Sequence, residues 1–226
     1  MIYVMSDIHG QIDQFHEVLK QISLEKTDKL YILGDVIDRN PNGIEVLAEI
    51  RSMTNAILML GNHEYMMLQA IQNPEDEFLW RAWFANGGMK TYDCYMEMPI
   101  EEREELIDYL GRLPINIDIT LGEKEYLLVH GIPIEMCKET RNSSNLTSLS
   151  VWSRIEPWDI MPTGKVVIFG HTPTENYSDV EPMSIWYGER MIGIECGCAY
   201  GSRGRLACLR LDDMKEFYSS SVVGRV

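Results

Sequence analysis

No stretch of the 226-residue sequence approaches the roughly 18 to 20 consecutive apolar residues that a membrane-crossing helix needs. The opening Met1-Ile2-Tyr3-Val4-Met5 is too short for the apolar core of a secretory leader and carries no basic residues ahead of it, so the expected compartment is the cytoplasm. Cysteine is scarce. The five, Cys94, Cys137, Cys196, Cys198 and Cys208, are odd in number and scattered, with no C-x-x-C pair, which argues against both a disulfide framework and a structural zinc knot. Cys196 and Cys198 lie in "RMIGIECGCAYG", which reads as a strand and its tight exit, and are expected as buried small residues rather than metal ligands. Without a leader, the N-x-[ST] triplets at Asn142, Asn145 and Asn176 carry little meaning. Basic residues are outnumbered 20 to 35, a net charge of −15, so long-range electrostatics oppose nucleic acid and anionic membranes as standing partners. A small phosphorylated substrate stays open, because bound divalent cations invert the polarity of a site.

What is present is an apolar fraction of 45%, ordinary for a globular protein with a sizeable core. From the N-terminus, short apolar runs alternate with helix-like stretches: Ile2-Tyr3-Val4, "QIDQFHEVLKQI", Lys29 to Leu33, "NGIEVLAEIRSM", Ala56 to Leu60, "EYMMLQAIQ". This β-α-β-α-β-α rhythm, with continuously apolar strands, predicts an α/β sandwich whose sheet is covered on both faces. The middle is helical, "DEFLWRAWFANGG" and "PIEEREELIDYLGRL", with Gly87-Gly88 and Gly111 as helix stops. The back half is strand-like: "INIDITLG", "KEYLLVHG", "KVVIFGHT", "SIWYGERMIGIECG", "GRLACLRLD" and "KEFYSSSVV". The polar segment "KETRNSSNLTSLS" predicts a mobile surface loop and is short for a boundary, so residues 1–226 are expected to form one domain. Solenoid or propeller periods are absent.

Chemistry gathers just past the apolar runs. Ile2 to Met5 leads into Ser6-Asp7-Ile8-His9-Gly10; Leu30 to Leu33 into Gly34-Asp35-Val36-Ile37-Asp38-Arg39; Ala56 to Leu60 into Gly61-Asn62-His63-Glu64. Leu127 to Val129 leads into His130-Gly131, and Val166 to Phe169 into Gly170-His171. Open α/β sheets bind ligands at the carboxyl ends of their strands, so the five clusters are expected to converge on one rim. Carboxylate, imidazole and one amide oxygen, with no thiolate, are the ligand types of Mn, Fe or Zn. The six candidates Asp7, His9, Asp35, Asn62, His130 and His171 are too many for one ion and suit a pair sharing a bridging carboxylate. Histidine usage agrees. His9, His63, His130 and His171 all follow apolar runs beside glycine or asparagine, while His16 falls inside a helical pattern and reads as a helix-surface residue.

D-x-H-G at Asp7, G-D-x-x-D-R from Gly34 to Arg39, G-N-H-E from Gly61 to Glu64, then "VHG" at His130 and "GHT" at His171 resemble the calcineurin-like metallophosphoesterases. The order of these motifs, "NGG" followed by Thr91, and "AYG..GRL" near the end resemble in particular the small bacterial and phage branch of serine/threonine protein phosphatases. The resemblance implies a fold of two mixed sheets flanked by helices and a pair of divalent ions, Mn foremost with Fe or Zn as alternatives. It implies that Asp7 and His9 bind the first ion, that Asp35 bridges, and that Asn62, His130 and His171 hold the second. It makes His63 the general acid oriented by Asp38, and Arg39 the phosphate grip, with Asn62 also near the phosphate. For the second phosphate arginine, Arg154 in "VWSR" is the best match and Arg141 the weaker one. A hydroxide held between two ions attacks phosphorus without a nucleophilic side chain, and neither a cysteine-based phosphatase signature nor a nucleophile elbow is found. Glu64 is expected to orient a neighbour or begin a helix.

The sequence departs from the family pattern at Asn40, where glycine is frequent and for which no role is assigned, and at "YGSRGRL", where Ser202 and Arg203 are extra; Arg203 either lines the site or decorates a loop. Three functions compete. The first is a phosphomonoesterase for phosphoserine and phosphothreonine, with phosphotyrosine open, acting on phosphorylated protein or small phosphoesters. The second is a hydrolase of dinucleoside tetraphosphates built on the same ligands. The third is a non-catalytic scaffold, disfavoured because every ligand and the acid histidine are intact.

Overall fold

The computed structural model describes residues 1–138, 145–161 and 164–220. Along the chain run β1 (Ile2–Met5), α1 (Ile12–Ile22), β2 (Lys29–Ile32), α2 (Gly43–Ser52), β3 (Ala56–Leu58) and α3 (Asn62–Gln72). The helical middle follows as α4 (Glu77–Ala85), α5 (Met89–Glu97) and α6 (Ile100–Leu110). Then come β4 (Asn116–Leu121), β5 (Lys124–Val129), α7 (Ile134–Lys138), α8 (Leu146–Trp152), β6 (Val166–Phe169), β7 (Trp186–Gly188), β8 (Met191–Gly193), β9 (Ala207–Arg210) and β10 (Lys215–Tyr218).

The strands form two mixed five-stranded sheets, ordered β10-β9-β1-β2-β3 and β4-β5-β6-β8-β7. In the first, β1, β2 and β3 are parallel and the C-terminal hairpin β9-β10 adds antiparallel to β1. In the second, β5, β6 and β8 are parallel, with β4 and β7 antiparallel at the edges.

The uninterrupted apolar character of the strands follows from this layering. Side chains alternate faces along a strand, so a sheet packed on both sides needs apolar residues at every position. In β1, Tyr3 and Met5 join a core shared with the helices, while Val4 points into the space between the sheets. Next along the sheet, Leu30 and Ile32 take the helical side and Leu33 the inter-sheet side. The second sheet repeats the rule: Tyr126, Leu128, Ile168 and Ile192 face inward, and Leu127, Val129, Phe169 and Met191 form an outer cluster. The sandwich of two mixed sheets flanked by helices is therefore present as the resemblance implies.

The expected surface loop "KETRNSSNLTSLS" is corrected in part. Its last residues begin α8, where the Asn145 side chain accepts from the Ser148 backbone N–H at 2.9 Å and caps the helix, and Ser150 and Val151 are buried. A polar, β-turn-like composition concealed an asparagine cap followed by a short buried face. Arg141 lies outside the described residues.

Candidate functional site

All five charged clusters emerge from the carboxyl ends of β1, β2, β3, β5 and β6 and meet, but on the seam between two sheets rather than on the rim of one. The His171 backbone N–H donates to Asp7 Oδ2 at 3.1 Å, and His130 Nε2 lies 3.4 Å from Asp35 Oδ1. Glycine permits that approach: a Cβ on Gly170 would collide with Ser6 Oγ and Asp7 Oδ2, and one on Gly61 with Asp35. The backbone bends sharply where the side chains turn inward. Of nine non-glycine residues with positive φ among the described residues, six are candidate site residues: Asp7, His9, Asp35, Asp38, Arg39 and His171. Such conformations persist only where surrounding contacts over-determine them, and they concentrate at working sites.

Each of three histidines is tied down through one nitrogen. His9 Nδ1 hydrogen-bonds the Ile37 carbonyl at 3.0 Å, His130 Nδ1 the Leu33 carbonyl at 2.7 Å, and His171 Nε2 the Trp152 carbonyl at 3.1 Å. The other nitrogen is left for the centre, which is how metal-binding imidazoles are held in one tautomer and orientation. His9 Nε2 is buried without a hydrogen-bond partner, 3.9 Å from Asp7 Oδ1 and 3.8 Å from Asp35 Oδ2. Ligand-type atoms of His9, Asp35 and His63 lie within 4.8 Å of one another, as do those of Asp35, His130 and His171. Asp35 belongs to both groups. Asn62 Oδ1 joins the second at 2.9 Å from His130 Nε2. An orphaned buried imidazole nitrogen, a shared carboxylate and an all-nitrogen-and-oxygen donor set fit divalent transition ions.

Electrostatics inside the cluster is correspondingly tense. Burial, reinforced by Asp35, pushes the Asp7 carboxyl up to about 6 against the pull of His130. Burial also acts to raise Asp35, but the His130 and His63 imidazoles outweigh it and hold the carboxyl well below its ordinary value. His130 is driven the other way, to about 10, because Asp35 outweighs the burial that would lower it. His171 falls to about 3 through burial and the neighbouring His130. Cations placed here would relieve the mutual repulsion of the buried Asp7 and Asp35 carboxylates.

His63, a member of the first group, forms a tight pair with Asp38, Nδ1 to Oδ2 at 2.7 Å, and both are fully buried. Despite burial, Asp35 and Asp38 raise the His63 pKa. Arg39 Nη2 stands 3.2 Å from His63 Nε2, and Arg154 Nη1 donates to the His171 carbonyl at 3.2 Å, so both arginines reach the cluster from its exposed side. Elsewhere, His16 is exposed and pairs with Glu49 at 2.7 Å. Arg203 is exposed, 3.6 Å from Glu175. Cys196 and Cys198 are buried and belong to neither group.

Asn40 has a role: its Nδ2 donates to the His9 carbonyl at 2.9 Å, binding the second motif to the first. Glu64 is a structural hub. One carboxylate oxygen accepts from the backbone N–H groups of Asp35 and Gly61 at 2.8 and 3.1 Å, and the other from Val36 and Ile37 at 2.8 and 3.3 Å. Burial and Asp35 push its carboxyl to about 7. In Glu64→Gln an amide NH₂ would face two of those N–H donors, a loss expected to cost about 2–4 kcal/mol in urea unfolding of the metal-free protein. Unchanged stability would remove Glu64 from this role.

Several residues at the site escaped the sequence reading. The buried Glu195, just past β8, has Oε2 without a partner, and its carboxyl is raised well above normal by burial and then by Asp7. The rule of a charge past an apolar run would have flagged it. Trp83 donates Nε1–H to Asp38 Oδ2 at 2.9 Å, and Thr91 Oγ1 accepts from the Asp38 N–H at 3.0 Å. The W-x-x-N-G-G stretch from Trp83 and the Thr91 that follows it belong to the resemblance, but neither stands at a strand end, and the resemblance implied no contact with Asp38.

Comparison with known proteins bears on the same residues. The sequence is 33% identical over 133 residues to serine/threonine-protein phosphatase 2 of Escherichia coli (strain K12), 57% of each chain. It is 30% identical over 117 residues to the symmetrical bis(5'-nucleosyl)-tetraphosphatase of Aromatoleum aromaticum, 50% of this chain and 39% of that one. The chain thus spans about half the length of the curated relatives it matches. A solved structure of a protein proposed to be a diadenosine tetraphosphatase shares the fold, with a TM-score of 0.68 at 19% identity over 99% of this chain and 94% of that one. The sequence model of the calcineurin-like phosphoesterases matches residues 1–197, and it is to this family that the chain belongs.

Proposed function

We propose that the protein is a metal-dependent phosphomonoesterase of the cytoplasm that removes phosphate from phosphoserine and phosphothreonine, with two divalent ions, manganese foremost, as cofactors. The observation that carries the reading is the single carboxylate, Asp35, common to two groups of metal-type ligands, beside a buried His63–Asp38 pair. In this reading Asp7, His9 and Asp35 hold one ion, and Asp35, Asn62, His130 and His171 the other, within one domain. Bound there, the ions would neutralise phosphate charge and make water nucleophilic at neutral pH. The remaining work falls to the chain. Arg39 and Arg154, both on the exposed side, would fork onto the phosphate oxygens and fix its orientation. His63, oriented through Nδ1 by Asp38, would give the Nε2 proton to the leaving oxygen. Among the described residues no helix is long and apolar enough to cross a membrane.

A second reading, symmetrical cleavage of dinucleoside tetraphosphates, is favoured by the name of the Aromatoleum aromaticum relative, and the same residues would serve it. The deciding assay sets a phosphoserine peptide, a phosphotyrosine peptide and diadenosine tetraphosphate side by side at equal enzyme and Mn²⁺, with and without chelator. Chelator-sensitive release of phosphate from the phosphoserine peptide, at a kcat/KM at least about tenfold above that for the dinucleotide, is the expected result. The reverse preference would replace the first reading with the second, and inertness towards all three would remove both.

A further inference from the structure

Helices α4 and α5 and the turn between them grip the Asp38–Arg39 pair at three points. The Asp38 N–H donates to Thr91 Oγ1 at 3.0 Å, the Arg39 N–H to the Gly87 carbonyl at 3.1 Å, and the Trp83 indole N–H to Asp38 Oδ2 at 2.9 Å. Both held residues are left-handed, with φ of 70° and 66°, a conformation that costs an L-residue about 1–2 kcal/mol and must be enforced from outside. The indole does more than hold backbone. It shares its acceptor atom with His63, whose Nδ1 meets the same Oδ2 at 2.7 Å, while Oδ1 is buried without a partner. Two N–H donors converging on one oxygen fix the plane of the carboxylate, and the carboxylate in turn fixes the imidazole. Trp83 is itself fully buried, and Gly88 makes room for it: a Cβ there would collide with the indole nitrogen.

We infer that Trp83 is a positioning residue for protonation of the leaving group, acting through Asp38 on His63; the inference rests on the hydrolytic reading above. As the bond from phosphorus to the leaving oxygen breaks, its electron pair stays on that oxygen. A new O–H bond forms there with the proton of His63 Nε2, which returns to neutral imidazole. Without the indole N–H the Asp38 carboxylate is free to turn Oδ1 towards the imidazole, and the proton is offered from a less aligned ring. A substrate whose leaving oxygen is stable as an anion has little need of that proton.

The test compares kcat on a phosphoserine peptide with kcat on dinitrophenyl phosphate, measured with Mn²⁺ on the same preparation, so that any inactive fraction cancels in the ratio. For Trp83→Phe, which keeps a ring but loses the donor, the ratio of peptide to dinitrophenyl turnover is expected to fall about tenfold, part of the effect of a general acid. KM for the peptide should stay within about twofold of the wild type. Adding Trp83→Phe to Asp38→Asn should lower the ratio no further than Asp38→Asn alone. An equal loss on both substrates, or a full further loss in the double variant, would make Trp83 a packing residue and overturn the inference. A wild-type protein inert towards both substrates would instead overturn the hydrolytic reading on which it stands.

Discussion

Asp35→Asn is expected to lower phosphoester hydrolysis by about a thousandfold or more, beyond the 10–100-fold typical of losing a group that merely orients a ligand. The substitution keeps the shape and can still accept the His63 backbone N–H, now 3.0 Å from Oδ1, so the fold is not the casualty. What it removes is the one negative charge common to both ligand groups. Binding should show this directly. In the wild type, Mn²⁺ at about a hundredfold above its dissociation constant should raise the unfolding temperature by about 5–10 °C for each ion bound, the equivalent of about 2.7 kcal/mol per site in a chain this long. Asp35→Asn should lose most of that shift and retain at most one ion by elemental analysis. Two tightly held ions with a tenth of normal turnover would show that Asp35 is not the shared ligand.

His63→Asn should cost about a hundredfold in turnover of a phosphoserine peptide, the scale of a missing general acid, and distinctly less on an aryl phosphate with a good leaving group. The proposed acid role is supported by the pairing with Asp38, which occupies Nδ1 and leaves Nε2 to face the cluster, 3.9 Å from Asp35 Oδ2. That short distance also places His63 in one of the two ligand groups, so metal content is the second measurement. Unchanged ion stoichiometry with a leaving-group-dependent loss of rate marks an acid. A lost ion with equal loss on both substrates would mark a ligand.

Much of this centre could be read from the sequence because a strand buried on both faces is continuously apolar, so the first polar residue after it is conspicuous. Asp7, Asp35, Asn62, His130 and His171 were all found by that contrast. The sequence could not reveal which sheet each strand joins. β5 and β6, which lead into His130 and His171, join a second sheet instead of extending the one that holds β1, β2 and β3, so the site straddles two sheets rather than lining one. Nor does residue spacing say which imidazole nitrogen is free, since that depends on carbonyls such as Leu33, 97 residues from His130. Trp83 and Asp38, 45 positions apart, meet only because α4 packs against the turn after β2, a contact that no spacing encodes. Asn40 was unassigned for the same reason: its partner is the backbone of His9, 31 residues earlier, and no side-chain pattern encodes a carbonyl.

The left-handed turn at Arg39 sets a conflict between durability and use. The side chain is exposed, and its φ of 66° is one that glycine adopts without strain. Arg39→Gly should therefore leave the metal-free protein as stable as the wild type or firmer by up to about 1 kcal/mol in urea unfolding, while weakening the grip on phosphate. A population of variants chosen only for survival at high temperature would drift towards glycine at this position, and catalysis would fade from a protein that had become harder to melt.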